Sequence, residues 1–182
     1  MATHTHRPRL ASALTAAVMS AAVGATPALG ASPASAAVSD GYVSGGGSFN
    51  NDWGDEGPVS TSAYSRSNAA CLWQKILWAE GLLKESRISG NFSSETRVAT
   101  KKLQSRWNIT TTGKADPKTF NTAGKPGRLK YVSGSTASGR ELTLKYQGGA
   151  HEFTVKRNDK GRYGFYADGA WRSAAYRSLS CR

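Results

Sequence analysis

Apolar positions along this chain change rhythm three times. Small apolar residues run almost unbroken from Ala13 to Ala25. Over residues 38–67 aromatic and aliphatic residues are scattered, with no sustained period. They then recur at helical spacing as far as Gly124, and from Arg128 onward they alternate with polar residues. In SNAACLWQKILWAEG (67–81), Ala69, Leu72, Trp73, Ile76 and Leu77 gather on one face at 100° per residue, which predicts a helix. Ser67 or Asn68 can cap it, and Gly81 can end it in a left-handed conformation. Cys71 and Trp78 fall on the opposite face, about 20° apart on the wheel. A C-terminal segment tied to Cys71 would bury Trp78 beneath it; the alternative is a tryptophan that stacks on a ligand.

SSETRVATKKLQSRWN (93–108) predicts a second helix, capped by Ser93, with Thr96, Ala99, Thr100, Leu103 and Trp107 facing inward and Lys101 and Lys102 facing out. Asn108 suits a left-handed terminator. DPKTFNTAG (116–124) predicts a third, short helix, with Asp116 as cap, Pro117 at the first helical position and Gly124 at the end. Just before the second and third helices, SGNFSSET (89–96) and TGKADPKT (112–119) share a frame: a hydroxyl residue, a glycine, and a threonine six residues after that glycine. Each reads as a turn leading into a helix. Gly90 and Gly113 supply the backbone, Phe92 and Ala115 tuck inward, and Ser93 and Asp116 cap.

From Arg128 the period is two. RLKYVS, ELTLKYQ, HEFTVKR, RYGFYA and AWRSAAY predict short strands separated by GSTASG, GG, NDKG and DG. The fold class is therefore α+β: a three-helix bundle followed by a small antiparallel β-meander with one wet, basic face. A sheet of about 55 residues is marginal alone, so it is expected to pack on the helices. Residues 37–67, rich in Gly, Ser and Asn, read as a flexible leader with a short strand around Val59–Tyr64.

Arg7 and Arg9, the apolar run, the breakers Pro27, Gly30 and Pro33, and Ala34-Ser35-Ala36 match the order of a secretory signal peptide over residues 1–36. The 13 residues from Ala13 to Ala25 fall short of the ~20 needed to span a bilayer, and no membrane span is expected. The remaining organisation is a leader over 37–67, a helical domain over 68–127 and a β module over 128–182. In an oxidising compartment the only two cysteines, Cys71 and Cys181, are expected to form a disulfide.

The formal net charge is +12, and it is uneven. Residues 38–67 carry 1 Arg against 4 Asp and Glu; residues 128–182 carry 11 Lys and Arg against 4 Asp and Glu. A basic exported protein is attracted to polyanions.

Residues 68–123 resemble the short three-helix peptidoglycan-binding domain found in many bacterial wall enzymes. Trp73-Gln74 stands for that family's Leu-Gln, Ile76 and Leu77 for its leucines, and Gly81-Leu82 for its Gly-Tyr. Ile88, Gly90, Phe92, Thr96, Ala99 and Leu103-Gln104 hold the central pattern; Asn108-Ile109 stands for Gly-Leu, and Gly113, Pro117, Thr119 and Phe120 hold the last segment. Both aspartates of the family's Asp-Gly turns are replaced here, by Ser89 and Thr112, and a later glycine of the first turn is Ser93. A hydroxyl can still bond the turn backbone in place of the carboxylate. The resemblance implies recognition of peptidoglycan around the turns that start the helices, and so points to Ser89, Asn91 and Thr112, with Gln104 near the rim.

Catalytic patterns are thin. Beyond residue 36 the one histidine is His151, whereas a zinc peptidase needs two or three and a carboxylate. His151 and Glu152 alternate, so they point to opposite faces of a strand and His151 reads as a surface histidine. Cys181 has no neighbouring histidine, and no nucleophile elbow is present. Glu80, Glu85, Glu95, Glu141 and Glu152 leave a carboxylate pair formally open, as in a cryptic wall hydrolase, but none lies in a motif. The sequence thus predicts a secreted, non-enzymatic wall-binding protein without metal or cofactor. Its expected partners are peptidoglycan and anionic wall polymers such as teichoic acids, not nucleic acid. The rival reading is an interaction protein or inhibitor that docks on a wall enzyme through the basic β module.

Overall fold

The computed structural model describes Val38 and residues 40–181. The expected signal peptide lies outside the described residues. Among the described residues, helices Asn68–Ala79, Ser94–Arg106 and Pro117–Ala123 and a five-stranded antiparallel sheet form an α+β fold. Helix α1 spans Asn68–Ala79, and the Ser67 hydroxyl accepts the Ala70 amide at its start. A single 3₁₀ turn, Glu85–Arg87, follows. Helix α2 spans Ser94–Arg106 and is capped by Ser93; helix α3 spans Pro117–Ala123 and is capped by Asp116. Asn108 sits at φ 53°, the left-handed conformation expected of a terminator after α2.

Strands β1 (Leu129–Gly134), β2 (Leu142–Gln147), β3 (Glu152–Arg157), β4 (Tyr163–Ala167) and β5 (Ala170–Ser173) pair in sequence order. The period-two pattern has its physical basis in burial. Leu142, Leu144, Tyr146, Val155, Tyr163 and Phe165 line the face turned to the helices and are buried. They share one continuous core with Leu72, Trp73, Ile76, Leu77, Leu103 and Phe120. The buried indole N–H of Trp73 donates to Thr100 Oγ1 at 2.9 Å, which removes the cost of an unpaired donor in that core.

Residues 42–66 are not the flexible leader that composition predicts. Val43, Trp53 and Val59 are fully buried, with Trp53 set edge-on between Phe120 of α3 and Tyr163 of β4. Acidic residues of this segment are buried too. Asp52 Oδ2 lies 2.6 Å from Arg157 Nη1 and accepts the Tyr163 hydroxyl, also at 2.6 Å. Arg157 further donates to the carbonyls of Gly47 and Thr136, both at 3.0 Å. A guanidinium this deep is tolerable only with such complete pairing. Burial, with the Asp52 charge beside it, pushes the Tyr163 hydroxyl well above its ordinary pKa. Glu56, fully buried, accepts the Ser44 amide at 2.6 Å and the Tyr176 hydroxyl. The short strand expected around Val59–Tyr64 is reduced to isolated bridges, Val59 with Ala115 and Arg66 with Asn91.

The disulfide joins Cys71 to Cys181. The C-terminal segment docks on the start of α1: the Asn68 amide donates to Ser178 O at 2.7 Å, the Ala69 amide to Ala175 O at 3.0 Å, and Asn68 Oδ1 accepts the Ser180 amide at 2.8 Å. Trp78 is a correction. It lies seven residues further along the helix, about 10 Å, and is not covered by that segment. The ring is half-buried and stacks face to face on His151, at 4.5 Å between centroids, before β3.

Candidate functional site

The two rhyming turns are built alike. Gly90 and Gly113 adopt φ of 69° and 72°, which L side chains rarely take. Each is buried, and each backbone is held by a glutamine side chain from a neighbouring helix. Gln74 of α1 accepts the amides of Ser89 (2.9 Å) and Gly90 (2.8 Å) through Oε1. Its Nε2 lies 2.9 Å from Asn91 O and 3.1 Å from Thr96 Oγ1. Gln104 of α2 accepts the Gly113 amide at 2.8 Å, and its Nε2 lies 2.8 Å from Lys114 O, 2.9 Å from Thr119 Oγ1 and 3.0 Å from Thr112 Oγ1. The threonines six residues after each glycine are thus docking points for these amides. They are buried because the glutamines reach them from inside the bundle.

Gln104 is therefore not a rim residue. It is fully buried and its amide is spent inside the protein, so it cannot also contact a ligand. Sequence reasoning missed the equivalent role of Gln74. The signal was present: each glutamine follows a large core residue, Trp73 or Leu103.

The remaining three candidates are exposed at the turn tips. Ser89 Oγ lies 3.3 Å from the Asn91 amide, and the Asn91 side-chain amide makes no hydrogen bond among the described residues. Thr112 is more committed: its hydroxyl donates to Asp116 Oδ2 at 2.8 Å and receives the Gln104 amide. A hydroxyl in place of a carboxylate thus holds the turn together.

One strap touches both turns. Val59 and Ala115 exchange amide and carbonyl at 2.9 Å in each direction. At the other end, the Phe92 amide donates to Ser65 O at 2.6 Å and the Ser67 amide to Gly90 O at 3.0 Å. Seven residues separate Val59 from Arg66, so the two turns lie within about 25 Å of one another. Arg66, Ser89, Asn91, Thr112 and Lys114 are among the exposed residues along this edge. The first turn is further hemmed in by the tail, since a side chain at position 90 would run into Leu179 and lie 3.1 Å from Cys181 Sγ.

A family model described as a putative peptidoglycan binding domain matches residues 66–122. The match begins one residue before the Ser67 cap and ends within α3, so it takes in the three helices and both glutamine-latched turns. The acidic strap before Arg66 and the whole sheet lie outside it. No curated protein and no solved structure matches the chain. Among the described residues, no helix is long and apolar enough to cross a membrane.

Proposed function

We propose that this chain, which carries a peptidoglycan-binding domain in residues 66–122, is a secreted, non-catalytic protein of the bacterial wall. The observation that supports it most is the match of that model to a segment in which both helix-starting turns are rigidly latched and present small polar side chains outward. Ser89 and Asn91 can donate to and accept from sugar hydroxyls or stem-peptide amides, while Thr112, whose one proton goes to Asp116, holds the second turn in shape. Preorganised turns lower the ordering cost of such contacts. Without residues 1–36, which hold Arg7 and Arg9 and no acid, 22 Lys and Arg face 12 Asp and Glu; this net charge of +10 adds an attraction to anionic wall polymers, screened above about 0.15 M salt.

Two binding components should follow, one salt-sensitive and one salt-resistant. The test is sedimentation of the protein from residue 37 onward with peptidoglycan stripped of teichoic acid, at high salt. Wild type should bind, and the S89A/N91A/T112A variant should bind more weakly while its far-UV dichroism is unchanged. Failure of wild type to bind would replace peptidoglycan recognition with the reading of a protein that docks on a wall enzyme. Equal binding by both would move recognition to another surface of the helical domain.

A further inference from the structure

The two rhyming turns differ in what covers them. At the first, a side chain at position 90 would run into Leu179 and the Ser67 carbonyl. Arg87 and Glu95, which flank that turn in sequence, pair with each other at 3.4 Å. At the second, a side chain at position 113 would stand 3.0 Å from Arg97 Cγ and 3.1 Å from both Cγ and Cε of Lys101. The aliphatic stems of two α2 cations thus lie across Gly113. Lys114 follows directly, where the first turn has the uncharged Asn91. All three cations are exposed, and among the described residues no ion pair engages any of them. Asp116 is the acid of this turn, and its oxygens accept the Thr112 hydroxyl, the Thr119 amide and the Thr119 hydroxyl. Arg97, Lys101 and Lys114 against Asp116 leave a net charge of +2 here.

We infer that the second turn is a carboxylate subsite, in which Arg97, Lys101 and Lys114 hold a free carboxylate of a peptidoglycan stem peptide. Like charges at i and i+4 of a helix repel, so Arg97 and Lys101 are relieved when an anion sits between them. A planar guanidinium takes a carboxylate through two parallel hydrogen bonds, and the ammonium groups add point charges. The stems already lie over a backbone that Gln104 fixes at the Gly113 amide, which lowers the ordering cost. The ligand class rests on the proposed function. The turn lies inside residues 66–122, and in stripped peptidoglycan the stem-peptide carboxylates supply the negative charge, the sugars being neutral. A phosphodiester polymer has the same sign of charge, so it serves as a competitor below. The first turn, which presents Ser89 and Asn91 beside a neutralised ion pair, is left to hydroxyls and amides.

For the test, stripped peptidoglycan is acetylated on its free amines and divided, and in one half the carboxylates are converted to methylamides with carbodiimide and methylamine. The protein from residue 37 onward is titrated against both at about 0.15 M salt. Wild type should bind the carboxylate wall about tenfold more tightly than the amidated one. R97Q/K101Q should lose that preference and bind both walls as wild type binds the amidated wall. K130Q/K156Q, which removes the same charge from the exposed sheet, should keep it. Melting curves identify a variant that has lost its fold; if R97Q/K101Q does, K114Q decides. Equal binding of both walls by wild type overturns the carboxylate subsite and leaves peptidoglycan recognition standing. A preference that survives in R97Q/K101Q, or is lost equally in K130Q/K156Q, overturns it too. So does displacement by poly(glycerol phosphate) that matches displacement by a soluble stem peptide of equal charge and disappears in R97Q/K101Q, which would make the turn a general polyanion site. Wild type that binds neither wall removes peptidoglycan recognition itself, and this subsite with it.

Discussion

At the scale of single residues the two turn glycines are alike in φ and unlike in surroundings. Both backbones are left-handed, so valine at either position is strained. Gly113 faces the flexible stems of Arg97 and Lys101 at 3.0–3.1 Å, which can move aside. Gly90 faces Leu179, the Ser67 carbonyl and the disulfide sulfur, which cannot all move. G113V should therefore cost about 1 kcal/mol, and G90V about 3 kcal/mol or more. Urea denaturation of the two variants measures the difference, and equal losses would contradict it. Glu56 is the other residue whose surroundings set its behaviour. Burial pushes its carboxyl up from 4.5 to about 8, against the opposing hydrogen bonds from Ser44 and Tyr176. Between those two values the native state holds a proton that the unfolded chain has released. Stability should therefore fall as pH rises across that window, by up to about 1.4 kcal/mol per unit. Below about pH 4.5 and above about pH 8 Glu56 contributes no slope. Melting temperatures at pH 6 and pH 9 should differ in wild type in the direction of lower stability at pH 9. E56Q, which stays neutral, should narrow that gap.

At the scale of elements, the link between helices and turns is the pair of glutamine latches. Replacing Gln74 by leucine would leave the Ser89 and Gly90 amides without an acceptor and Asn91 O without its donor. The Gly90 amide is buried and its orphaning alone costs about 1–3 kcal/mol, with less from the part-buried Ser89 amide and Asn91 carbonyl, so Q74L should lose a few kcal/mol, with Q104L similar. Amide exchange gives an independent reading: the Gly90 proton should exchange faster in Q74L, and the Gly113 proton in Q104L. Exchange that stays slow in both would show that the latches do not hold the turns. The latches also show where legibility ended. Helix positions, their caps, the left-handed Asn108 and five strands in a meander were readable, because period and turn chemistry are local properties. The resemblance points to Gln104 near the rim and gives Gln74 no role, and helical period alone does not tell that either amide is drawn inside. What buries them is the opposite side of the contact, the bare amides of turns 9 and 16 residues away in sequence. Residues 42–66 misled for a related reason. Val43, Trp53 and Val59 follow no period, and their burial is set by docking against α3 and β4 rather than by neighbours in the chain.

At the scale of the whole molecule, one covalent link encloses nearly everything described after the strap. Cys71 and Cys181 are separated by 110 residues, a loop that contains α2, α3 and the entire sheet. Closing a loop of that length restricts the unfolded chain by about 4–5 kcal/mol on the entropy model, with no new native contact required. The native consequences of opening it are local by comparison. Asn68, Ala69 and Gly90 are the points where the tail meets the helical part, and Tyr176 carries the tail onward to Glu56. Reduction should thus lower the denaturation midpoint strongly. In the folded reduced protein it should free amides near Ser180 and Cys181 first, while α2, whose amides bond within the helix and to its Ser93 cap, keeps its protection. Thiol counting checks the premise: denatured, unreduced protein should label at zero equivalents, and two equivalents would remove the link altogether. If the midpoint is unchanged on reduction, the tail is held by Asn68 and Tyr176 alone, and the loop-entropy account of this molecule's stability is wrong.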